Sequence, residues 1–300
     1  MPLALEEVRA ESITEFTGLL VPRVYDCGNF GDPGGGALAG HPYFSAVPSR
    51  WWQCRQLFAL VTSGLKRFLP AYPVIDEEYA ETVAVYETAL SASGTYAMAE
   101  LGARWGTWGF RALAAVRRYN PAVRKANVYF VEPNADACKA IADVAALNGF
   151  TPGSTPLSAT LTVDCSYASP ATFLAWANSF EGPIDLVDVD IQGGEKDFFT
   201  PEVIAVLNKR TKRLIIGTHG MGLGEQMVAK FPLWKVVEVV PLGVLSDTAV
   251  RCRETLRDGD KWASQTKLQS PECIATTFLD ASVGPVYQWD GEVILDNNEK

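Results

Sequence analysis

The residues of this chain with chemistry to offer are carboxylates placed at the ends of apolar runs. Asp185-Leu-Val-Asp-Val-Asp-Ile-Gln-Gly-Gly-Glu195 reads as a strand entering a turn. A buried parallel strand is apolar on both faces, yet Asp188 and Asp190 interrupt this one on a single face near its carboxyl end. Burying two carboxylates costs several kcal/mol unless they are paired or bind something. Asp190 falls nearest the rim, with Gln192 and Glu195 in the loop beyond. Structural pairing, or helix capping by Glu195, is the alternative reading. The next apolar run, Arg213-Leu-Ile-Ile-Gly217, leads into Thr218-His219-Gly220, and His219 is one of two histidines. A lone histidine is often structural. Beside glycines at a strand end it suits a general base, with an ordinary pKa of about 6.5. An acid and a histidine on adjacent strand ends could also hold a divalent metal. Mg²⁺ prefers oxygen ligands, so no metal ligand is assigned here. His41 lies in a Gly/Pro-rich stretch and is read as incidental.

Three further acids end apolar runs. In Ala99-Glu-Leu-Gly-Ala-Arg-Trp-Gly-Thr-Trp-Gly109, a strand climbs to Glu100 and then a glycine-rich turn, Gly102-Ala103-Arg104-Trp105-Gly106. A dinucleotide turn needs a second glycine where this chain has Arg104, so that a pyrophosphate can touch backbone. Glu100 would repel a diphosphate, and it suits a cationic ligand carrying an ammonium and a sulfonium, as S-adenosylmethionine does. Trp105 is read as a wall beside that ligand and Trp108 as helix packing. Glu132, followed by Pro133, ends Tyr129-Phe-Val-Glu-Pro-Asn134 where an acid binds ribose hydroxyls. Asp164 ends a third run, as an adenine contact or a solvent-facing turn.

These side chains need elements to place them. From residue 95 the chain alternates strand and helix. Strands are predicted at 95–101, 127–131, 157–163, 184–191, 213–217 and 235–240. Helices are predicted at 107–119, 135–147, 170–179, 201–208 and 224–231. Such alternation implies a doubly wound parallel sheet with helices on both faces. Residues 273–279 and 285–295 read as two more extended runs, with a turn at Asp290-Gly291, so an antiparallel hairpin closes the sheet. Residues 1–94 form an N-terminal extension: a Gly/Pro-rich loop over 22–49, a candidate lid, then helices over 50–69 and 76–92. In the second of these, Tyr79, Val83, Tyr86 and Leu90 fall on one face. Residues 95–300 form the ligand-binding domain.

Composition narrows the partners. The 300 residues are 48% hydrophobic and 20% charged, an ordinary globular balance. The net charge of −9 argues against a duplex nucleic-acid partner, which would want a basic face. Lys209-Arg-Thr-Lys-Arg213 reads as a solvated helix end or a local basic patch. No stretch approaches the roughly 18 apolar residues of a membrane span, and the N-terminus lacks the pattern of a secretory signal. The six cysteines include no C-x-x-C pair and are read as reduced thiols of a cytoplasmic protein.

The motifs ELGARWG, YFVEPN, ALNG, IDLVDVDIQGGE and IIGTHG, in that order, resemble the FkbM-type S-adenosylmethionine-dependent methyltransferases over about residues 72–220. The resemblance implies a class I methyltransferase fold of seven strands and methyl transfer to oxygen, often on a sugar or another hydroxylated small molecule. It places Glu100, Gly102, Gly106 and Glu132 on cofactor-binding positions, and Asp190, Glu195 and His219 on active-site positions. Family members often carry an acid before the histidine, where this chain has Gly217-Thr218-His219. A nicotinamide-dependent oxidoreductase and a non-catalytic nucleotide-binding protein on the same fold are the alternative readings.

Overall fold

Residues 4–26, 60–61, 63–70, 73, 79–219, 222–240 and 291–298 are described in a computed structural model. The chain divides into two compact units, residues 1–80 with 245–287, and residues 81–244 with 288–300. Among its described residues the first unit includes the short strands β1 (Glu6–Glu7), β2 (Ser12–Thr14), β3 (Leu20–Pro22) and β4 (Arg67–Phe68) and the helical turn α1 (Arg23–Asp26). β1 pairs with β4 and β2 with β3, both antiparallel. None of these strands was expected, because two- and three-residue pairings leave no periodicity to read. The helix predicted over 50–69 does not reach its predicted end. Gly64 takes a left-handed conformation (φ 71°) and the chain leaves extended into β4. The body of the Gly/Pro-rich loop and His41 lie outside the described residues.

The second unit starts within α2 (Tyr79–Ser91) and continues through β5 (Gly94–Leu101), α3 (Thr107–Tyr119), β6 (Val123–Val131), α4 (Ala135–Asn148), β7 (Ser158–Asp164), α5 (Pro170–Asn178), β8 (Ile184–Val189), α6 (Glu195–Phe198), α7 (Pro201–Arg210), β9 (Thr211–Thr218), α8 (Leu223–Lys230), β10 (Trp234–Val240) and β11 (Gly291–Asn297). The break between the two units falls at 80/81. The reason is hydrogen bonding: the Asn120 amide donates to the carbonyls of Ala89 and Ala92 (2.8 and 2.9 Å), which ties the end of α2 to the end of α3. Leu90, expected on the buried face of α2, is 39% exposed, while Ala84, Val85 and Ala89 are buried.

The strands form one sheet in the order β10-β11-β9-β8-β5-β6-β7. β5, β6, β7, β8 and β9 are mutually parallel, and β11 runs antiparallel to both β9 and β10. The antiparallel closure is as expected, but its partners differ. β11 pairs with β10 and β9; the run at 273–279 lies outside the described residues.

Local chemistry explains the boundaries. Asn134 caps α4 by accepting the N–H groups of Asp136 and Ala137, and Gly149 ends it at φ 66°. Ser169 and Thr200 cap α5 and α7, each followed by a proline at the first helical position, where a missing N–H costs nothing.

The two faces of the sheet differ. One carries Ala99, Leu101, Val187, Val189, Leu214, Ile216, Val293 and Leu295, packed with aromatic residues of α5 and α6, with Val203 and Leu207 of α7 and with Met227 of α8. On the other face Glu100 and Asp188 stand in register on adjacent strands, both nearly fully buried.

The basic stretch 209–213 is a helix end leading into a strand, as expected, with Lys209 exposed, but its other charges are engaged. Arg210 donates to the carbonyls of Ala177, Phe180 and Gly182. Lys212 pairs with buried Asp185 at 2.6 Å, and Arg213 pairs with Asp296 and Glu87.

Cys138 and Cys165 form a disulfide, with 5.7 Å between their Cα atoms. The expectation of reduced thiols is therefore corrected for this pair. Parallel pairing of β6 with β7 sets Val131 opposite Asp164, which brings the start of α4 beside the end of β7. A separation of 27 residues hides that closeness in the sequence. The cytoplasmic reading loses the support it took from the cysteines. Among the described residues no helix is long and apolar enough to cross a membrane.

Candidate functional site

Parallel strands deliver their carboxyl ends to one edge, and the loops after β5, β6, β8 and β9 meet there. The first two contacts are made by backbone. Gly102 sits at φ 89°, and a Cβ on it would lie 1.8 Å from the carbonyl oxygen of Asp190. The N–H of Asp190 in turn donates to Leu101 O at 2.9 Å. The glycine turn after β5 therefore rests directly on the acidic loop after β8, and only glycine allows it. The N–H groups of Gly102 and Ala103 both donate to Val131 O at 2.9 Å, and Ala103 is buried. Arg104 follows in the left-handed region (φ 52°), an uncommon conformation for a residue with a Cβ.

Glu100 departs from its expected role. Its carboxylate is 1% exposed and turns inward, where its two oxygens accept the N–H groups of Trp108 and Gly109 at 2.9 and 2.7 Å. α3 starts at Gly106 (φ 84°), which has no side chain to cap it. Glu100 supplies that cap from the neighbouring strand. Gly109 makes the approach feasible, since a Cβ there would lie 2.4 Å from the Phe130 ring. Burial pushes the Glu100 carboxyl up to about 8, against the two N–H donors that favour its charged form. Its carboxylate therefore holds the turn and the start of α3.

Glu132 stands at the end of β6, almost buried. Oε2 accepts the Arg104 N–H at 2.7 Å and Oε1 the Asn134 N–H at 2.8 Å. One carboxylate thus joins the turn after β5 to the one after β6, and each oxygen keeps a further lone pair. Pro133 is exposed beside it. Asp164 accepts from the Tyr129 hydroxyl at 3.1 Å and from Ser166 at 2.6 Å. Trp105 and Trp108 are both buried, with the Arg111 guanidinium over both rings at 5.6 and 5.0 Å. Trp105 is therefore a packing residue of the turn as much as Trp108 is.

Asp190, Glu195 and His219 come together as expected. Nδ1 of His219 lies 2.8 Å from Glu195 Oε1, and Nε2 lies 3.1 Å from Asp190 Oδ1. Glu195 is fully buried and also accepts the Gly193 N–H. Burial pushes its carboxyl up, but the bonds from His219 and from backbone outweigh that and hold it below the ordinary range. Being ionised, Glu195 takes the Nδ1–H, which leaves the lone pair of His219 on Nε2. Glu195 Oε2 has no hydrogen-bond partner among the described residues.

Two contributors were not among the expected site residues. Gln192 sits at φ 54° and sets its amide 2.9 Å from His219 Nε2 and 3.0 Å from Asp190 Oδ1. Gly217 lies under Asp190, where a Cβ would meet Oδ1 at 3.1 Å. The sequence marks neither, since a left-handed glutamine and a glycine inside a strand are defined only by their neighbours. Asp188 lies deeper in β8 than the rim.

The strand order, with β11 antiparallel inside an otherwise parallel edge, is that of the class I methyltransferase fold. Solved structures similar to this chain include the following methyltransferases. A precorrin-6Y C5,15-methyltransferase from Geobacter metallireducens matches at 13% identity over 72% of this chain and 87% of its own, with a TM-score of 0.37. The C-terminal domain of the Rhodobacter capsulatus precorrin-6Y C5,15-methyltransferase matches at 16% identity over 56% and 81%, with a TM-score of 0.34. A SAM-dependent methyltransferase from Agrobacterium tumefaciens matches at 12% identity over 55% and 53%, with a TM-score of 0.37. No family model and no curated protein matches the chain.

Proposed function

We propose that this chain is an S-adenosylmethionine-dependent O-methyltransferase of the FkbM type, acting on a hydroxyl of a small molecule such as a sugar or another secondary metabolite. The observation that carries this reading is the contact between Gly102 and Asp190. It sets an acid–histidine cluster directly against a turn suited to a nucleoside ligand. The residues fit the cofactor: Glu132 keeps lone pairs for a vicinal diol, the tight glycine at 102 leaves the turn uncluttered, and Asp164 ends the neighbouring strand. When bound, S-adenosylmethionine supplies a methyl already activated by its sulfonium.

The chain's own residues then have one task, to hold a hydroxyl in line with that methyl and remove its proton. In the ion-free cluster, His219 Nε2 has the lone pair that accepts the proton, because Glu195 fixes the other ring nitrogen. Asp190 Oδ1, 3.1 Å away, stabilises the imidazolium that forms. The acceptor is placed among small molecules because the net charge of −9 disfavours duplex nucleic acid.

Calorimetry tests the cofactor. S-adenosylhomocysteine should bind one per chain and NAD should not; the reverse would establish the oxidoreductase instead. Incubation with methyl-labelled S-adenosylmethionine and a panel of sugars and other hydroxylated metabolites tests the acceptor. A methyl ether is expected, and an N-methyl product would refute oxygen as the acceptor.

A further inference from the structure

His219 Nε2, Asp190 Oδ1 and the Gln192 amide form a triangle with edges of 2.9, 3.0 and 3.1 Å. With Asp190 ionised, no arrangement of hydrogens satisfies all three edges. The aspartate edge to the histidine needs an Nε2–H. The aspartate edge to the glutamine needs its NH₂ at that corner. The third edge then sets two donors against each other. If instead Nε2 carries the lone pair, as Glu195 dictates, the Gln192 NH₂ donates to both partners and the histidine still faces the carboxylate as acceptor to acceptor.

A cation removes the conflict. Turning the Gln192 amide by half a rotation places its oxygen at the corner, so all three atoms offer lone pairs to one centre. The spacing fits a particular geometry. Ligands about 2.1 Å from an octahedral ion, on adjacent positions, stand about 3.0 Å apart. Tetrahedral ligands at that bond length would stand about 3.4 Å apart. Three adjacent octahedral positions are filled, and three are left for water or substrate oxygens.

We propose that Asp190, Gln192 and His219 are the ligands of a divalent cation in octahedral geometry, and that Glu195 orients His219 for it. Two independent features support this. Gln192 is held at φ 54°, a conformation that costs energy and that directs its side chain to the corner. The fully buried Glu195 carboxylate binds Nδ1 at 2.8 Å, the arrangement that fixes the tautomer of a metal-bound histidine. The nitrogen ligand disfavours Mg²⁺ and the octahedral spacing disfavours tetrahedral Zn²⁺, which leaves Mn²⁺ or Fe²⁺ as the better fit.

The inference rests on the hydroxyl-acceptor reading for its role. In the loaded chain the cation takes the His219 lone pair, so the histidine is a ligand. At an open position the cation would lower the pKa of an acceptor hydroxyl, and its proton would pass to solvent. Mn²⁺ is the probe, titrated into the full chain with free Mn²⁺ followed by electron paramagnetic resonance. One ion per chain is expected. His219→Ala and Asp190→Asn should each weaken binding at least ~10-fold, and Glu195→Gln ~10- to 100-fold. Gln192→Ala should weaken it and Gln192→Glu restore it, while Asp164→Asn leaves it unchanged. No binding at about 1 mM Mn²⁺, in a chain that keeps its circular dichroism, would overturn the proposal, as would binding unmoved by His219→Ala. S-adenosylhomocysteine binding, measured separately, decides the cofactor reading. Mn²⁺ bound without it would uphold the metal site and refute the methyltransferase.

Discussion

The two edges of the parallel sheet handle charge in opposite ways. At the amino edge the inward-facing charges meet their complements: Asp185 has Lys212 and the Ala97 N–H, and Arg213 has Asp296 and Glu87. At the carboxyl edge, acceptors face acceptors. Asp190 Oδ1 looks at a histidine nitrogen that Glu195 leaves as a lone pair, and Glu195 Oε2 is buried without a described partner. Two non-glycine residues at positive φ, Arg104 and Gln192, sit on this edge. Complementary pairs hold the fold together, whereas acceptors crowded against one another and strained backbone mark a place that a ligand completes.

Mutations can break that contrast from either side. The largest effect is expected from Gly102→Ala. Its Cβ would overlap the Asp190 carbonyl and its φ is hostile to alanine, so S-adenosylhomocysteine affinity should fall at least ~100-fold, as calorimetry would record. Asp185→Ala should do the converse. Chemical denaturation should show a loss of about 2 kcal/mol, discounted for the part-exposed Lys212, while S-adenosylhomocysteine affinity stays within about twofold.

Glu100 sharpens the comparison through pH. Its pKa is raised from 4.5 to about 8 in the folded chain, so the native state binds the extra proton. Its contribution to stability is complete below about pH 4.5 and is lost as pH rises through about 8. Denaturation midpoints should fall across that window, and Glu100→Gln should flatten the fall. It should also cost about 1–2 kcal/mol near pH 6, because an NH₂ group would meet a backbone N–H. The smallest effect is expected from Gln192→Gly, which relieves the left-handed strain. Stability should change by about 0.5 kcal/mol or less, while Mn²⁺ binding weakens.

Much of the fold was legible because periodicity and caps are local. α3 begins and ends where its pattern predicted, and Asn134, Ser169-Pro170 and Thr200-Pro201 mark helix starts that the structure keeps. β6 begins four residues before its prediction, since Val123-Arg-Lys-Ala carries charges at an exposed strand entry. The short strands β1 to β4 left no trace, being defined by distant partners.

By itself the sequence determined the alternation of strands and helices, and with it the edge at which Asp190, Glu132 and His219 emerge. A run of β-branched and aliphatic residues followed by a polar turn is a local signal, and parallel connection does the rest. Only the tertiary structure decided which acids face that edge. Glu100 and Asp190 both end apolar strands, yet one turns inward to cap a helix that Gly106 cannot cap, and the other stays at the rim above Gly217. That choice depends on what packs opposite each side chain. The contacts involved, Gly109 against Phe130 and Glu195 against His219, join residues more than 20 apart in the chain.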